Sequence, residues 1–279
     1  MGDLIKVVYT SDLKEMPFIQ ACKNKKISCI SVEDARSAVY FATGICAQNK
    51  CKVIVCIDAG NASRSAFSGM TEAFYRKLPV VLITIGKDLK YIKELNDVVK
   101  SHYIVSNYTE IKQLLNKSYP IHIELITERQ KQQKIKCDYL QQILSSVIDE
   151  SKYLYISQEI EKTTVNYIGK VVYGGLPNCY EGAFANVLGA SLAKKHNKYI
   201  GLVSEREAIH DINTLGNINN NDLLLYIIVT KRKNKLITDF AVDMKFDVYS
   251  IKSNMLTPEY IEKMVSSHKR TILMIYEEE

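Results

Sequence analysis

Short apolar runs alternate with stretches of helical periodicity along almost the whole chain. In the first half, the runs that predict strands are Lys6–Tyr9, Ile27–Ser31, Lys52–Ile57, Val80–Ile85, His102–Val105 and Ile121–Ile126. The stretches between them that predict helices are Asp12–Asn24, Val32–Asn49, Ala62–Lys77 and Asn107–Lys117, with Ser31 and Asn107 as N-caps. Strands that alternate with helices pair in parallel and are covered on both faces. We therefore predict strands that are buried on both sides.

The same alternation begins again after a polar segment. TERQKQQKIK, which starts at Thr127, has the composition of a solvated linker. Further strands are predicted at Lys152–Ile156, Lys170–Tyr173, Tyr199–Val203, Leu223–Thr230, Asp247–Ile251 and Thr271–Tyr276, with helices at Asp138–Asp149, Tyr180–His196, Glu207–Gly216 and Pro258–Ser267. The predicted fold class is α/β, with two lobes that are each a parallel sheet flanked by helices. The predicted domains are 1–126 and 151–279, joined by a linker and helix at 127–150.

Charge and hydropathy exclude several classes of protein. The 37 basic and 31 acidic residues leave a formal net charge of +6, spread over the whole chain, so we expect no nucleic-acid partner. No apolar run reaches the roughly 18 residues that a membrane helix requires. The N-terminal MGDLIKVVYT leads into a strand without the apolar core of a signal peptide, which predicts a cytoplasmic protein.

The common catalytic motifs are absent from the sequence. It contains no Walker A loop, GxGxxG, HExxH or GxSxG. The seven cysteines form no CxxC pair, so we predict that they pack as small apolar side chains. The five histidines are scattered, which favours structural or exposed positions. The residues alone predict two α/β lobes and a small-molecule ligand at the carboxyl ends of the strands.

Several stretches together resemble a known superfamily. In the first half these are Asp34–Gly44 (DARSAVYFATG), residues 56–86 and Tyr119–Leu125 (YPIHIEL); in the second half they are Asn178–Ala193 and Ile209–Asn213 (IHDIN). Their order and spacing resemble the pyrimidine-binding (PYR) and diphosphate-binding (PP) domains of thiamine-diphosphate enzymes. Within that superfamily they are similar to the menaquinone-pathway synthase that makes a succinyl-cyclohexene-carboxylate.

The resemblance implies a cofactor, a reaction class and an assembly. It implies thiamine diphosphate with Mg²⁺, and decarboxylation or carbon–carbon bond transfer on a 2-oxo acid. In this superfamily each site joins the PYR domain of one chain to the PP domain of another, so we expect a homodimer or a heteromer with a related chain. The usual central domain is absent from this sequence.

The sequence departs from the superfamily where the coenzyme is activated. The glutamate that hydrogen-bonds the aminopyrimidine ring corresponds to Ala35 here. A methyl group cannot replace a charge-assisted hydrogen bond. On a helix Glu33 would point about 200° away from position 35, so we expect it to face elsewhere.

The implied metal and diphosphate site departs as well. The Gly-Asp pair that holds Mg²⁺ reads Ser204-Glu205, and the later asparagine falls within Thr230-Lys231-Arg232. Glu205 remains a candidate metal ligand, although Mg²⁺ demands near-octahedral geometry and a lysine or arginine cannot ligate it. Glu207 would repel a diphosphate. The candidate cofactor-binding residues implied by the resemblance are Gly60, Asn61, Asn178, Glu205, Arg206, Lys231 and Arg232.

Three functions remain open from the sequence. The first is a thiamine-diphosphate-fold protein with an eroded cofactor site, non-catalytic or repurposed for binding or assembly. The second is a minimal 2-oxo-acid decarboxylase or carboligase in which Arg206, Lys231 and Arg232 bind the anion in place of the metal. The third is a thiamine-independent small-molecule binder or enzyme that uses the cleft between the lobes.

Overall fold

The chain forms two compact units, Met1–Gln132 and Gln133–Glu279. The computed structural model describes residues 5–49, 51–60, 62–86, 93–127, 134–174, 180–193, 195–217 and 223–277. The helix of the 127–150 segment belongs to the second unit, because Leu140, Ile143 and Leu144 lie in a hydrophobic cluster of that unit. Within the described residues, no helix is both long and apolar enough to cross a membrane.

The first unit contains a six-stranded sheet. Its strands are β1 (Lys6–Thr10), β2 (Ser28–Val32), β3 (Val53–Asp58), β4 (Val80–Gly86), β5 (Ser101–Val105) and β6 (Ile121–Ile126). Its α-helices are α1 (Pro17–Asn24), α2 (Ala35–Asn49), α3 (Ala62–Ser65), α4 (Phe67–Tyr75) and α5 (Ile111–Leu114), and its 3-10 helices are Ser11–Leu13, Lys93–Val98 and Tyr108–Glu110.

The second unit contains a second six-stranded sheet. Its strands are β7 (Lys152–Ile156), β8 (Lys170–Tyr173), β9 (Lys198–Ser204), β10 (Leu224–Thr230), β11 (Asp247–Lys252) and β12 (Thr271–Tyr276). Its α-helices are α6 (Asp138–Val147), α7 (Ala183–Leu192), α8 (Glu205–His210), α9 (Lys235–Asp243) and α10 (Pro258–Ser266), and its 3-10 helices are Ile212–Asn217 and Ser253–Met255.

Both sheets are parallel throughout and share one topology. The strand orders are β2-β1-β3-β4-β6-β5 and β11-β12-β10-β9-β7-β8, and every neighbouring pair is parallel. Counted within its own unit, each sheet therefore has the order 2-1-3-4-6-5. The predicted fold class is confirmed. In each unit the strand order reverses beside the first strand, so the first and third strands flank the crevice where open α/β sheets bind ligands.

Each sheet lies between two hydrophobic clusters, which explains the unbroken apolar runs of its central strands. Along β4, Leu82 belongs to the cluster on one face and Ile83 to the cluster on the other. Along β10, Ile227 and Tyr226 are divided in the same way. Successive strand residues point to opposite faces, so a strand covered on both sides carries no polar alternation.

The edge strands correct the prediction of burial on both faces. The runs Ile27–Ser31 and His102–Val105 become β2 and β5, which lie at edges of the first sheet. Ser28 and Ser31 are exposed in β2, and Ile104 in β5 is 56% exposed. Edge strands pair on one side only, and their position in the sheet depends on contacts that are distant in sequence.

Local signals explain where several helices begin. Ser31 is not an N-cap, because it lies in β2; the Ser37 amide instead donates to Asp34 Oδ1 at 2.7 Å, before the first full turn of α2. Asn107 is confirmed as an N-cap, with a reciprocal bond to Glu110. Pro17 begins α1, so the predicted helix Asp12–Asn24 is shortened. Helix α9, capped by the Asn234 side chain, was not predicted.

Candidate functional site

The carboxyl ends of three neighbouring strands in the second unit bring together a group of polar and charged side chains. Strand β9 lies between β7 and β10, and its end leads directly into Glu205 at the start of α8. Ser157 and Glu159 follow β7, and Thr230 ends β10. Because parallel strands finish at the same edge, these groups meet beside the crevice between β7 and β9.

Glu205 accepts a hydrogen bond at each of its carboxylate oxygens. The Thr230 hydroxyl lies 2.7 Å from Oε2 and equally close to the Arg232 carbonyl, so it can donate to either, and the Asn234 amide nitrogen donates to Oε1 at 2.6 Å. The Asn234 amide oxygen accepts from the Ile237 amide at 3.2 Å and so caps α9. Glu205 therefore ties the end of β10 and the start of α9 to the start of α8.

Ser204 joins two further carboxyl groups. Its Oγ lies 2.6 Å from Glu159 Oε2 and 2.9 Å from Glu207 Oε2. Its amide donates to Glu207 Oε2 at 3.3 Å, and the Glu207 amide donates back to its Oγ at 3.1 Å, which completes a capping box. The hydroxyl has one proton, so Ser204 can donate it to only one of the two carboxyl groups at a time.

Glu207 is the more deeply buried of these two carboxyl groups. It is 2% exposed, and burial raises its pKa above the ordinary value of 4.5, with neighbouring Glu159 acting in the same direction. Hydrogen bonds from Ser157 and Ser204 oppose the shift without cancelling it. The crevice is thus lined by acidic groups, of which Glu207 has a raised pKa.

Replacing Glu207 with glutamine is expected to make the folded state more stable at alkaline pH. The raised pKa means that the folded chain retains a proton that the unfolded chain has released. The stabilisation that this proton provides is therefore complete below the pKa of Glu207 in the unfolded chain. It is lost as pH rises through the pKa of Glu207 in the folded chain. Glutamine keeps the shape and does not titrate. Denaturant unfolding should show Glu207→Gln more stable than wild type near about pH 8, and this advantage should shrink near about pH 4.

The control for this comparison is the same change at an exposed position. Glu262 lies on an exposed face of α10, so Glu262→Gln removes a carboxylate without touching the Ser204 group. If Glu207→Gln differed from wild type by the same amount at both pH values, the buried-proton interpretation would be wrong.

The three basic candidates occupy different surroundings. The Arg206 Nη1 lies 3.7 Å from Glu159 Oε1, and its guanidinium stacks 4.9 Å from the centre of the Tyr180 ring. Tyr180 in turn stacks on His210, with 5.6 Å between ring centres. Lys231 and Arg232 are exposed just after β10. The structure therefore directs Arg206 toward a carboxylate, and the predicted anion cradle stays a prediction.

In the first unit, Ala35 and Gly60 lie at comparable strand-to-helix connections. Ala35 is the first residue of α2, is 5% exposed and packs in the hydrophobic cluster beneath that helix. Gly60 follows β3; its amide lies 3.4 Å from Asp58 Oδ2, and its carbonyl accepts from the Ser63 hydroxyl at 2.8 Å. The two remaining candidates, Asn61 and Asn178, lie outside the described residues.

Glu33 faces away from Ala35 for a different reason than predicted. Helix α2 begins only at Ala35, so a helical angle cannot be applied to Glu33. The residue instead lies in the turn after β2, is exposed, and accepts a hydrogen bond from Ser11 Oγ at 2.9 Å. The Glu33 side chain is therefore directed to Ser11.

Sequence reasoning missed three members of the strand-end group. Ser204 had a readable signal, because Ser-x-x-Glu before an apolar segment is a capping box. Asn234 had a weaker signal as a helix N-cap. Glu159 had none, since only the pairing of β7 with β9 brings it to Ser204.

Comparison with known proteins identifies the first unit. The family described as "Thiamine pyrophosphate enzyme, N-terminal TPP binding domain" matches residues 5–111. Residues 5–111 are similar to the N-terminal domain of thiamine-diphosphate enzymes. This confirms the superfamily indicated by the sequence motifs, and we refer to the matched part as the PYR domain.

Curated relatives of this chain include synthases of one name. A 2-succinyl-5-enolpyruvyl-6-hydroxy-3-cyclohexene-1-carboxylate synthase of Bacteroides fragilis is 28% identical over 92 residues, which cover 33% of this chain and 17% of the synthase. The synthase of the same name from Flavobacterium psychrophilum is 36% identical over 64 residues, covering 23% of this chain and 12% of the relative. The chain thus spans less than a fifth of the length of the curated relatives it matches.

One solved structure matches over nearly the whole chain. It is the thiamine diphosphate-dependent 4-hydroxybenzoylformate decarboxylase of Rhodococcus jostii RHA1, with 8% identity, a TM-score of 0.38, and coverage of 98% of this chain and 96% of that one.

Proposed function

We propose that this chain is a thiamine-diphosphate-fold protein whose cofactor site is eroded, and that it serves binding or assembly and not catalysis. The observation that carries the proposal is the hydrogen bonding of Glu205, the candidate metal ligand. Both of its oxygens accept from side chains of its own unit. These two bonds tie Glu205 to Thr230 and to Asn234, whose oxygen caps α9, so the carboxylate has a structural role within its own unit that requires no metal ion.

The acidic crevice supports the same proposal. Glu159 and Glu207 lie on either side of Ser204 beside Glu205, where the resemblance would seat the diphosphate. Placing a diphosphate beside these acidic groups is unfavourable without a cation between them. Arg206, one of the three basic candidates, lies 3.7 Å from Glu159.

Ala35 supports it from the PYR domain. Its methyl group packs in the hydrophobic cluster and cannot hydrogen-bond an aminopyrimidine ring. Loss of one charge-assisted hydrogen bond to a ligand costs about 1.5–3 kcal/mol, or roughly a 10- to 150-fold loss of affinity. The residues present therefore do not fit the coenzyme, and we derive no catalytic step through it.

Isothermal titration of the full chain with thiamine diphosphate, with and without Mg²⁺, tests the proposal. We expect no saturable heat up to millimolar coenzyme in either condition. Micromolar binding that requires Mg²⁺ would overturn the eroded site. Micromolar binding without Mg²⁺ that disappears in Lys231→Ala and Arg232→Ala would also overturn it, and would favour a decarboxylase with a basic anion cradle. Release of CO₂ from a panel of 2-oxo acids would then identify the reaction.

A further inference from the structure

Three potential metal-binding side chains meet on one face of the sheet of the first unit. Strands β5 and β6 pair so that His102 lies beside His122 and Ile104 beside Glu124. His122 and Glu124 are two residues apart on β6 and therefore project to the same face. One ligand atom from each of His102, His122 and Glu124 lies within 4.8 Å of the others.

Two polar atoms of this group are buried and unpartnered. His122 is 0% exposed and Glu124 is 3% exposed, yet His122 Nδ1 and Glu124 Oε2 have no hydrogen-bond partner. Buried polar atoms without a partner are rare and unfavourable, and each asks for an explanation. A cation held by both atoms would satisfy them together.

The other contacts of the two rings favour this role. His122 Nε2 lies 2.9 Å from Thr84 Oγ1, so the ring is held by one nitrogen while Nδ1 is left for a ligand. A hydrogen bond at the second ring nitrogen is the usual way in which a protein orients a metal-binding histidine.

His102 is the member of this group that solvent can reach. Its side chain is 30% exposed, and its Nε2 lies 2.5 Å from Glu124 Oε1. Its ring stacks on His122 at 4.9 Å between centres, with an angle of 11°. Because His102 lies on the edge strand β5, an ion can reach the group from solvent, and this ring can shift to draw the three ligands closer.

We propose that His102, His122 and Glu124 form a binding site for a divalent transition metal, with Zn²⁺ as the preferred ion. Two imidazole nitrogens and one carboxylate oxygen are a ligand set that Zn²⁺ accepts, with a fourth position for water or another ligand. Bound metal would fasten the edge strand β5 to β6. This site is independent of the thiamine-diphosphate site and does not depend on the proposed function.

Titration of chelator-treated full chain with Zn²⁺ tests the site. We expect one equivalent to bind with micromolar or stronger affinity, and His102→Ala and Glu124→Gln to weaken binding at least tenfold. The control is His268→Ala, which removes an exposed histidine from the second unit and should bind Zn²⁺ like wild type. Absence of stoichiometric binding, or equal binding by wild type and His102→Ala, would overturn the proposal.

Cobalt absorption of the wild-type chain gives a readout that does not depend on the stability of any variant. Co²⁺ at a site of two histidines and one carboxylate should show visible bands of low-coordinate cobalt without thiolate charge-transfer bands. Thiolate bands would assign the bound metal to cysteines and would contradict the proposed ligands. The circular dichroism of each variant, compared with wild type, establishes that lost binding is not lost folding.

Discussion

Replacing Phe184 with alanine is expected to lower the free energy of unfolding of the second unit by about 3–5 kcal/mol. Phe184 on α7 is fully buried and stacks against Tyr226 of β10, with 4.2 Å between ring centres. The backbone oxygen of Phe184 accepts from the Tyr226 hydroxyl at 2.9 Å. Truncation would leave a cavity between helix and sheet that these neighbours can fill only in part.

The rigidity of this contact makes collapse of the cavity difficult. A Cβ added at Gly201 of β9 would come within 3.0 Å of both Tyr226 and Val187, so the glycine leaves room for the tyrosine ring against the sheet. Tyr226 is thus held on two sides and is poorly placed to move into the space of Phe184. We therefore expect an effect in the upper part of the range.

Hydrogen exchange measured by mass spectrometry would locate the loss. Faster exchange in β9 and β10, together with a lower denaturant midpoint, is the expected result. Leu192 is the matched control, because it lies on the same helix and is 68% exposed; Leu192→Ala should change stability by about 0.5 kcal/mol or less. Equal effects of the two substitutions would contradict the described packing of α7.

Replacing Glu205 with alanine is expected to destabilise the second unit by about 2 kcal/mol, even though Glu205 is the candidate metal ligand. The substitution removes the acceptor of two hydrogen bonds, from Thr230 and Asn234, and hydrogen bonds to a charged group contribute about 1.5–3 kcal/mol each. Water can reach the partly buried position and replace some of the loss, so the expected effect is smaller than the sum.

This prediction separates a structural role of Glu205 from a ligand role. A side chain kept for a metal or diphosphate usually adds little to stability without the ligand, whereas one that connects α8, β10 and α9 stabilises the protein in its absence. Denaturant unfolding of Glu205→Ala, with Glu262→Ala on the exposed face of α10 as control, measures the difference. If both variants matched wild type, the structural role would be wrong and the argument for an eroded site would lose its main support.

The fold was predictable because its signals are local and repeated. Apolar runs such as Val80–Ile85 and Ile121–Ile126 need no distant information to be recognised as strands, and the helices between them imply parallel pairing. The order of the strands and the identity of the edges were not predictable. Ile104 belongs to a run that reads as buried, and only its place at the end of the sheet exposes it.

The candidate sites also contain some contacts between residues close in sequence, which could be predicted, and others between separate strands, which could not. The capping box of Ser204 and Glu207 is encoded within four residues and could be read directly. The contact of Glu159 with Ser204 depends on two strands ending together. His102 and His122 are 20 positions apart in sequence, and only the register of β5 and β6 makes them neighbours. Groups built across strands stay hidden until the pairing is known.

The repeated order of strands has a consequence for how this protein can diverge. Both units have the same strand order. In each unit, apolar side chains on both faces of the sheet hold the central strands in place. This packing does not depend on which residues lie at the carboxyl ends of the strands. Rim positions such as Glu205 can therefore exchange a ligand-binding task for an internal bond while the architecture persists. The apolar residues that build the sheet can therefore stay recognisable after the residues at the strand ends have changed.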